Sequence, residues 1–364
     1  MLAIIHANDG SDVRIGKTCR SLSGMGYRVH FIGWDRREGG QREIDLGGAV
    51  SHVMRRPTPH GRSTAAGQAA FYRHVVATLW RLRPSVACCV NEDACLGLLP
   101  WRGVLFDRLV CDIFDALVDR HSARPAPLRW ALRAVSELVR WRADRLIATD
   151  EARFERLGRF RRKAVIVENV PETPSAGPAL RMPEGPARLY VAGSLARGRG
   201  IEQALEAARR TGVRIVSAGW PYDASAERFV ADPAVEFHGI VTAGRSLELA
   251  ASCDAVLAFY APTSVNNLYA SPNKLYDALS VGRPVIVNRE IRPARWVERH
   301  AAGWTCGYDD ADALERILAS LSARRGELPA FAARARELFL AGPTWEKMAR
   351  RLDELYRGLK ERAR

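Results

Sequence analysis

Two α/β domains of Rossmann-like character, each built on a parallel sheet, are predicted by three features of this sequence. Its 364 residues exceed what one hydrophobic core usually serves. Short β-branched runs alternate with helically spaced apolar residues, the rhythm of βαβ units. A stretch rich in proline and glycine interrupts that rhythm near the middle, after which the alternation restarts.

In the first half, apolar runs predict strands at 2–6, 29–33, 50–54, 86–90, 109–111, 146–148 and 165–167. Helices fit between them at 15–25 and 65–82. Leu128, Leu132, Val135, Leu138 and Val139 line one side of a third. Residues 171–186 carry five prolines and two glycines and suit neither a helix nor a central strand. We divide the chain into a first domain at 1–170, a linker at 171–187 and a second domain at 188–343. In the second domain strands are predicted at 189–192, 214–217, 235–237, 255–259, 285–287 and 303–305. The last segment, 344–364, reads as a helix with Met348, Leu352, Leu355, Tyr356 and Leu359 on one face, which needs a surface to pack on.

Composition narrows the function classes. With 47% hydrophobic and 26% charged residues the chain is a folded globular type, and no apolar run approaches the roughly 18 residues of a membrane span. The apolar start lacks the basic flank and small-residue cleavage site of a signal peptide and reads as a buried strand. Seven cysteines, an odd number without C-x-x-C spacing, suggest free thiols in a reducing cytoplasm. The net charge of +14 comes almost wholly from arginine and is concentrated between 120 and 163, where thirteen basic residues face five acidic ones. No nucleic-acid-binding module carries that charge and H-E-x-x-H does not occur, so neither a nucleic-acid partner nor a metal is expected.

The most informative segment is Ser271-Pro-Asn-Lys-Leu-Tyr-Asp-Ala-Leu-Ser-Val-Gly-Arg-Pro-Val-Ile-Val287. Pro272 suits a first helical turn, Ser271 or Asn273 a cap, and Gly282 to Pro284 a helix end before a strand. Lys274 in that first turn adds positive charge where the helix dipole already favours an anion. A plainly capped helix with a surface lysine is the structural alternative. The segment resembles the carboxy-terminal signature of glycosyltransferase family 4 and its relatives, S-P-N-K-L-(F/Y)-E-(Y/A)-L-A-x-G-x-P-V-I. In that family a Glu-x7-Glu pair brackets the helix start; the second glutamate holds the nucleotide ribose, and amides and basic side chains hold the diphosphate. Asp277 matches the second acid. Tyr269 stands at the first, so by this resemblance the contact to the donor sugar is lost or passes to Asn266 or Asn267.

A second match, Gly193-Ser-Leu-Ala-Arg-Gly-Arg-Gly200, is expected as a loop directly after the first strand of the second half and resembles the family's G-R-L-x-x-x-K-G. Ser194 replaces the arginine, Arg199 the lysine, and Arg197 is placed to supply the missing charge. Gly219 and the run containing His238 and Ile240 resemble two intervening family loops near the nucleotide base. In the first half, residues 8–18 suggest a phosphate-binding P-loop, but five residues separate Gly10 from Gly16 where G-x-x-x-x-G-K-[ST] requires four. The segment is instead similar to the family's first βα unit, with Asp12 and Arg14 as cleft residues. Leu109-Val-Cys-Asp-Ile-Phe-Asp-Ala116 runs from a strand into two carboxylates where members often carry D-x-H-D or D-x-H-E; Phe114 takes the histidine's place. Either acid can cap a helix; the functional expectation is a general base, Asp115 or secondarily Asp112, as in the xanthan-type glucuronosyltransferases.

The resemblance implies the GT-B fold: two Rossmann-like domains facing a central cleft, the first for acceptor and the second for nucleotide sugar, with the final helix crossing back. It implies a metal-independent glycosyltransferase without a cofactor, taking a UDP-sugar or GDP-sugar to a glycan or lipid-linked saccharide in bacterial surface-polysaccharide assembly. Arg129, Arg133 and Arg140 near Trp130 and Trp141 suggest that 124–163 meets an anionic membrane surface, the plain alternative being a solvated helix face. A GT-B-shaped epimerase and a non-catalytic nucleotide-sugar-binding protein remain the other readings.

Overall fold

The computed structural model describes residues 1–37, 44–58, 63–172, 184–270 and 273–361. It divides into two units, Met1–Asn169 with Lys347–Arg364, and Val170–Glu346.

The first unit holds seven parallel strands, β1 (Leu2–Ile5), β2 (Val29–Asp35), β3 (Val50–Arg55), β4 (Val86–Val90), β5 (Arg108–Ile113), β6 (Arg145–Ala148) and β7 (Ala164–Ile166), in the order β3-β2-β1-β4-β5-β6-β7. β1 and β4 are buried at every residue, as continuous apolar runs must be when both faces of a parallel sheet are covered. The covering helices are α1 (Val13–Gly24), α2 (Ala65–Leu82), α3 (Glu92–Leu98), α4 (Leu117–Arg120), α5 (Ala126–Arg142) and α6 (Glu151–Glu155). Asp12, Thr64 and Asp150 cap α1, α2 and α6 by accepting first-turn N–H groups.

In the second unit six parallel strands, β8 (Arg188–Leu195), β9 (Arg214–Pro221), β10 (Val235–Phe237), β11 (Ala255–Ala258), β12 (Val285–Asn288) and β13 (Gly303–Cys306), run in the order β10-β9-β8-β11-β12-β13. Its helices are α7 (Ile201–Thr211), α8 (Ala224–Val230), α9 (Ala243–Ala251), α10 (Val265–Leu268), α11 (Asn273–Ser280), α12 (Pro293–Arg299), α13 (Ala311–Ser320) and α14 (Leu328–Ala341). Both sheets reverse direction once, between β1 and β4 and between β8 and β11. The carboxyl ends of those strand pairs are where an open α/β sheet binds ligands.

The last helix, α15 (Trp345–Glu361), joins the first unit from Lys347 onward. Met348, Leu352, Leu355, Tyr356 and Leu359 are all buried, and each large apolar side chain so removed from water stabilises the docking by roughly 1.5–3 kcal/mol. Tyr27 donates to the Asp353 carboxylate at 2.9 Å, and Arg351 to the Ile166 carbonyl at 2.9 Å.

Two expectations are corrected. The stripe on α5 is not its core face: Leu128 and Leu138 are 45% and 42% exposed, and only Ser136 and Val139 are fully buried. The helix is seated by a polar anchor, because Ser136 and Arg140 both donate to the wholly buried Glu92, at 3.2 and 2.7 Å. Gly193, Ser194 and Gly219 lie inside strands rather than in loops: β8 and β9 stay paired through Leu195 and Pro221. Most of the linker falls outside the described residues. Among those described, no helix is long and apolar enough to cross a membrane. All seven cysteines are free and buried.

Candidate functional site

In the second unit, two glycines let β8 and β9 approach at the switch point. Gly193 and Gly219 are register partners with φ of 109° and 143°, and a Cβ at Gly219 would lie 1.9 Å from the Gly193 carbonyl oxygen. Beyond β8 the chain is clipped in place. The Arg197 N–H donates to Asp223 at 2.8 Å, and the Gly198 carbonyl accepts from Ala261 at 2.8 Å. The Arg199 guanidinium lies 4.3 Å from the centre of the Tyr260 ring, a cation–π contact that orients it. The Arg197 and Ser194 side chains are exposed.

The lysine expected to meet an anion lies at this same edge. Lys274 Cε is the nearest atom, at 3.9 Å, to the Cβ that Gly193 lacks. The first-turn lysine of α11 and the glycine near the end of β8 are therefore neighbours, although 81 residues separate them. Lys274 Nζ donates to Asp277 at 2.8 Å, and both side chains are mostly buried. Burial, the largest influence, lowers the lysine's pKa; the charge and hydrogen bond of Asp277 together with Tyr190 and Tyr260 outweigh it and raise the value, so the ammonium stays charged. Sequence reasoning gave these two residues separate duties, whereas the geometry couples them. Asn273, the first residue of α11, is exposed; Ser271 and Pro272 lie outside the described residues.

The remaining positions of this unit divide. His238 receives a backbone tie from β9, its N–H donating to the Ser217 carbonyl, and its Nε2 lies 2.8 Å from Glu236; Ile240 is 47% exposed. Tyr269 closes α10, with the Arg292 guanidinium 5.6 Å from its ring. Asn266 lies within α10, half-buried. Asn267 braces its loop, its amide donating to the Ala261 carbonyl at 2.8 Å. Asn288 was missed. Wholly buried at the end of β12, it accepts from the Tyr260 N–H and donates to the Tyr260 carbonyl and to Glu290, fixing the loop that carries Tyr260. An asparagine ending an otherwise apolar strand was the signal available.

In the first unit, His6 follows β1 and its ring lies 5.5 Å from that of Phe114. The Arg14 guanidinium sits 4.4 Å from the centre of the same Phe114 ring and donates to Asp112 at 2.8 Å. Expected as a cleft residue, Arg14 is 1% exposed, with Asp112 as its carboxylate partner and the Phe114 ring against its face, while Nε and Nη1 find no hydrogen-bond partner among the described residues. Asp12 uses its carboxylate on the Arg14 and Ile15 N–H groups. Asp112 lies at the same contact. It is 5% exposed and held by Arg14; burial pushes its pKa up to about 6, against the lowering effect of the Arg14 charge. Burial also lowers the pKa of His6, favouring the neutral imidazole.

Asp115 is the accessible carboxylate of the pair, its side chain 42% exposed, with Arg153 at 3.5 Å. Its backbone is held by Asn91, which sequence reasoning missed. Asn91 follows β4 at φ 68° and ψ 156°, and its Oδ1 accepts the N–H groups of Phe114 and Asp115 at 3.0 Å each. A non-glycine residue in that conformation is strained, and such strain concentrates at functional sites. Among the described residues, no three His, Cys, Asp or Glu side chains come together as metal ligands do.

Residues 197–354 match the model of a family described as glycosyl transferase-like. Among curated proteins none matches significantly. Among solved structures, sucrose-phosphate synthase from Thermosynechococcus elongatus is similar at 15% identity and a TM-score of 0.74, covering 99% of both chains. Anabaena HepE in complex with UDP-glucose is similar at 14% identity and a TM-score of 0.70, over 98% of this chain and 99% of that one. WaaG, a glycosyltransferase involved in lipopolysaccharide biosynthesis, is similar at 16% identity and a TM-score of 0.66 with the same coverage. The chain has the fold of these GT-B structures, two parallel-sheet α/β units of seven and six strands.

Proposed function

We propose that the protein is a glycosyltransferase of the family 4 type, moving a sugar from a UDP-sugar or GDP-sugar to a hydroxyl of a glycan or lipid-linked saccharide in surface-polysaccharide assembly. The observation that carries this reading is Lys274 in the first turn of α11, packed beside Gly193 at the switch point of the second sheet, inside the stretch that matches the glycosyl transferase-like model. A charged lysine and the free N–H groups of a helix start suit a nucleoside diphosphate. Arg199, held on Tyr260, and Arg197 supply further charge to it. Asp277 holds the ribose once Lys274 turns to the diphosphate.

In the inverting form of this reading, Asp115 takes the proton of the acceptor hydroxyl as that oxygen bonds to the anomeric carbon. The bond from that carbon to the diphosphate breaks, and the nucleoside diphosphate leaves with the electron pair. Lys274 and the α11 amides compensate the charge that builds up, so the reaction proceeds in a chelator such as EDTA. In a retaining course Asp115 positions the acceptor. The exposed α5 tryptophans and the basic stretch around them suit a peripheral site on the cytoplasmic membrane face.

Tyr269 in place of an acid favours a second reading, a binding protein without turnover. The test is transfer from labelled UDP-glucose and GDP-mannose to lipid-linked saccharides, with Asp115→Asn alongside. Wild-type transfer, abolished in the variant while donor binding persists, is the expected result; near-normal turnover in the variant overturns the role of Asp115, and donor binding without any transfer selects the second reading.

A further inference from the structure

At the carboxyl ends of β5 and β6, between α5 and α6, the first unit contains a pocket of about 190 Å³ that the reading above does not use. Arg133 and Arg140 from α5, Arg153 from α6 and Arg156 just beyond it all line this space. Three of the four are anchored by carboxylates. Arg140 donates to the buried Glu92 at 2.7 Å, Arg156 donates through both terminal nitrogens to the buried Asp119 at 2.7 Å each, and Arg153 pairs with Asp150. Arg133, two helical turns before Arg140, pairs with no carboxylate among the described residues.

Four guanidinium groups around one small space are a poor way to stabilise a fold. Arg140 and Arg153 are largely desolvated, the four charges repel one another, and apolar side chains would fill the volume at lower cost. Carboxylates beside three of them fix their planes and offset the repulsion, and Arg133 is left without a carboxylate of its own among the described residues. Fixed guanidinium forks match the oxygens of a phosphate group. The volume lies below the roughly 300–1,000 Å³ of pockets that engulf a whole small molecule, which suits one charged group of a larger ligand. Arg153 also reaches toward Asp115 at 3.5 Å, so an anion held here lies one side chain from the proposed acceptor base.

We propose that this pocket binds a phosphate group carried by the acceptor, making the acceptor class a phosphorylated saccharide or a lipid-linked one whose phosphate enters the pocket. The proposal rests on the transferase reading only for the word acceptor; phosphate binding is independent of it. Arg133 is the residue to change, because it is exposed and anchors no buried partner.

The test is calorimetric titration of the whole protein with glucose 6-phosphate, with glucose as the uncharged control, in wild type, Arg133→Gln, Arg133→Lys and Lys274→Ala. Binding of the phosphate ester alone, weakened about tenfold in Arg133→Gln, less in Arg133→Lys and unchanged in Lys274→Ala, is expected for a soluble source. For a lipid source, phosphatidylglycerol vesicles retain wild type and lose Arg133→Gln more than Arg161→Gln, which removes the same charge from the same basic stretch outside the pocket. Failure of both probes, equal binding by Arg133→Gln, or loss only in Lys274→Ala overturns the proposal. A parallel UDP titration reads the donor site separately: phosphate binding without UDP binding undoes the transferase reading and leaves the pocket standing.

Discussion

Asn91 accepts the backbone N–H of Asp115 at 3.0 Å, from a backbone conformation that only glycine adopts without strain. The same oxygen holds Phe114, so one side chain fixes the bend that presents the proposed base. Asn91→Ala leaves two N–H groups without that partner and keeps the strain, and it should lower stability by roughly 2–4 kcal/mol. Asn91→Gly relieves the strain but still loses the bonds. Both variants should lower turnover at least tenfold with donor affinity unchanged, and glycine should be the more stable of the two by urea unfolding. Wild-type turnover in Asn91→Gly contradicts the positioning role.

Asp112 makes stability depend on pH in a direction opposite to most ion-paired carboxylates. Its folded pKa of about 6 lies above the ordinary 3.8. Between those values the folded chain keeps a proton that the unfolded chain releases, so this group's contribution falls as pH rises from about 4 to 6, by roughly 2–3 kcal/mol. Asp112→Asn removes the effect. The variant should therefore gain on wild type by that amount between pH 4 and pH 7 in denaturant unfolding, and a constant difference contradicts the assignment.

Gly219→Ala probes the close strand approach beneath the donor site. The added methyl meets the Gly193 carbonyl oxygen at 1.9 Å, and φ of 143° is itself unfavourable for alanine. Since backbone cannot yield as a side chain can, a loss of roughly 2–5 kcal/mol is expected by urea unfolding. A loss below about 0.5 kcal/mol would show that β8 and β9 separate freely.

Trp130 and Trp141 are 69% and 65% exposed on α5, among basic residues. If this face meets lipid, replacing both by serine should cut co-sedimentation with phosphatidylglycerol vesicles at least fivefold and leave neutral vesicles, which bind weakly, unaffected. Equal sedimentation of wild type with anionic and neutral vesicles contradicts the membrane reading.

Most strands were legible because both-face burial writes itself as unbroken apolar runs such as Val86–Val90 and Val285–Val287. The α5 face was misread because a buried glutamate, not an apolar stripe, seats that helix, and no periodicity records such an anchor. The end of β8 was misread because paired glycines look like a loop in sequence, where their partner across the sheet is invisible. Lys274 was singled out from its place at a helix start and Asp277 from the family resemblance, but their mutual pairing depends on rotamers. Asn91 escaped because its φ is a property of the folded backbone. The arginine pocket draws its lining from Ile113 to Leu157, a span over which sequence shows only a surplus of charge.

The most direct test of the donor site is calorimetric titration with UDP-glucose and GDP-mannose, in EDTA, of wild type and Lys274→Ala. Lys274 is the one side chain on which the helix terminus, the glycine at the strand end and Asp277 converge. Saturable binding of one nucleotide sugar by wild type, weakened tenfold or more in the variant, is the predicted result. Binding that Lys274→Ala leaves intact, or no binding of either, contradicts the assignment of this edge of the second sheet as the donor site.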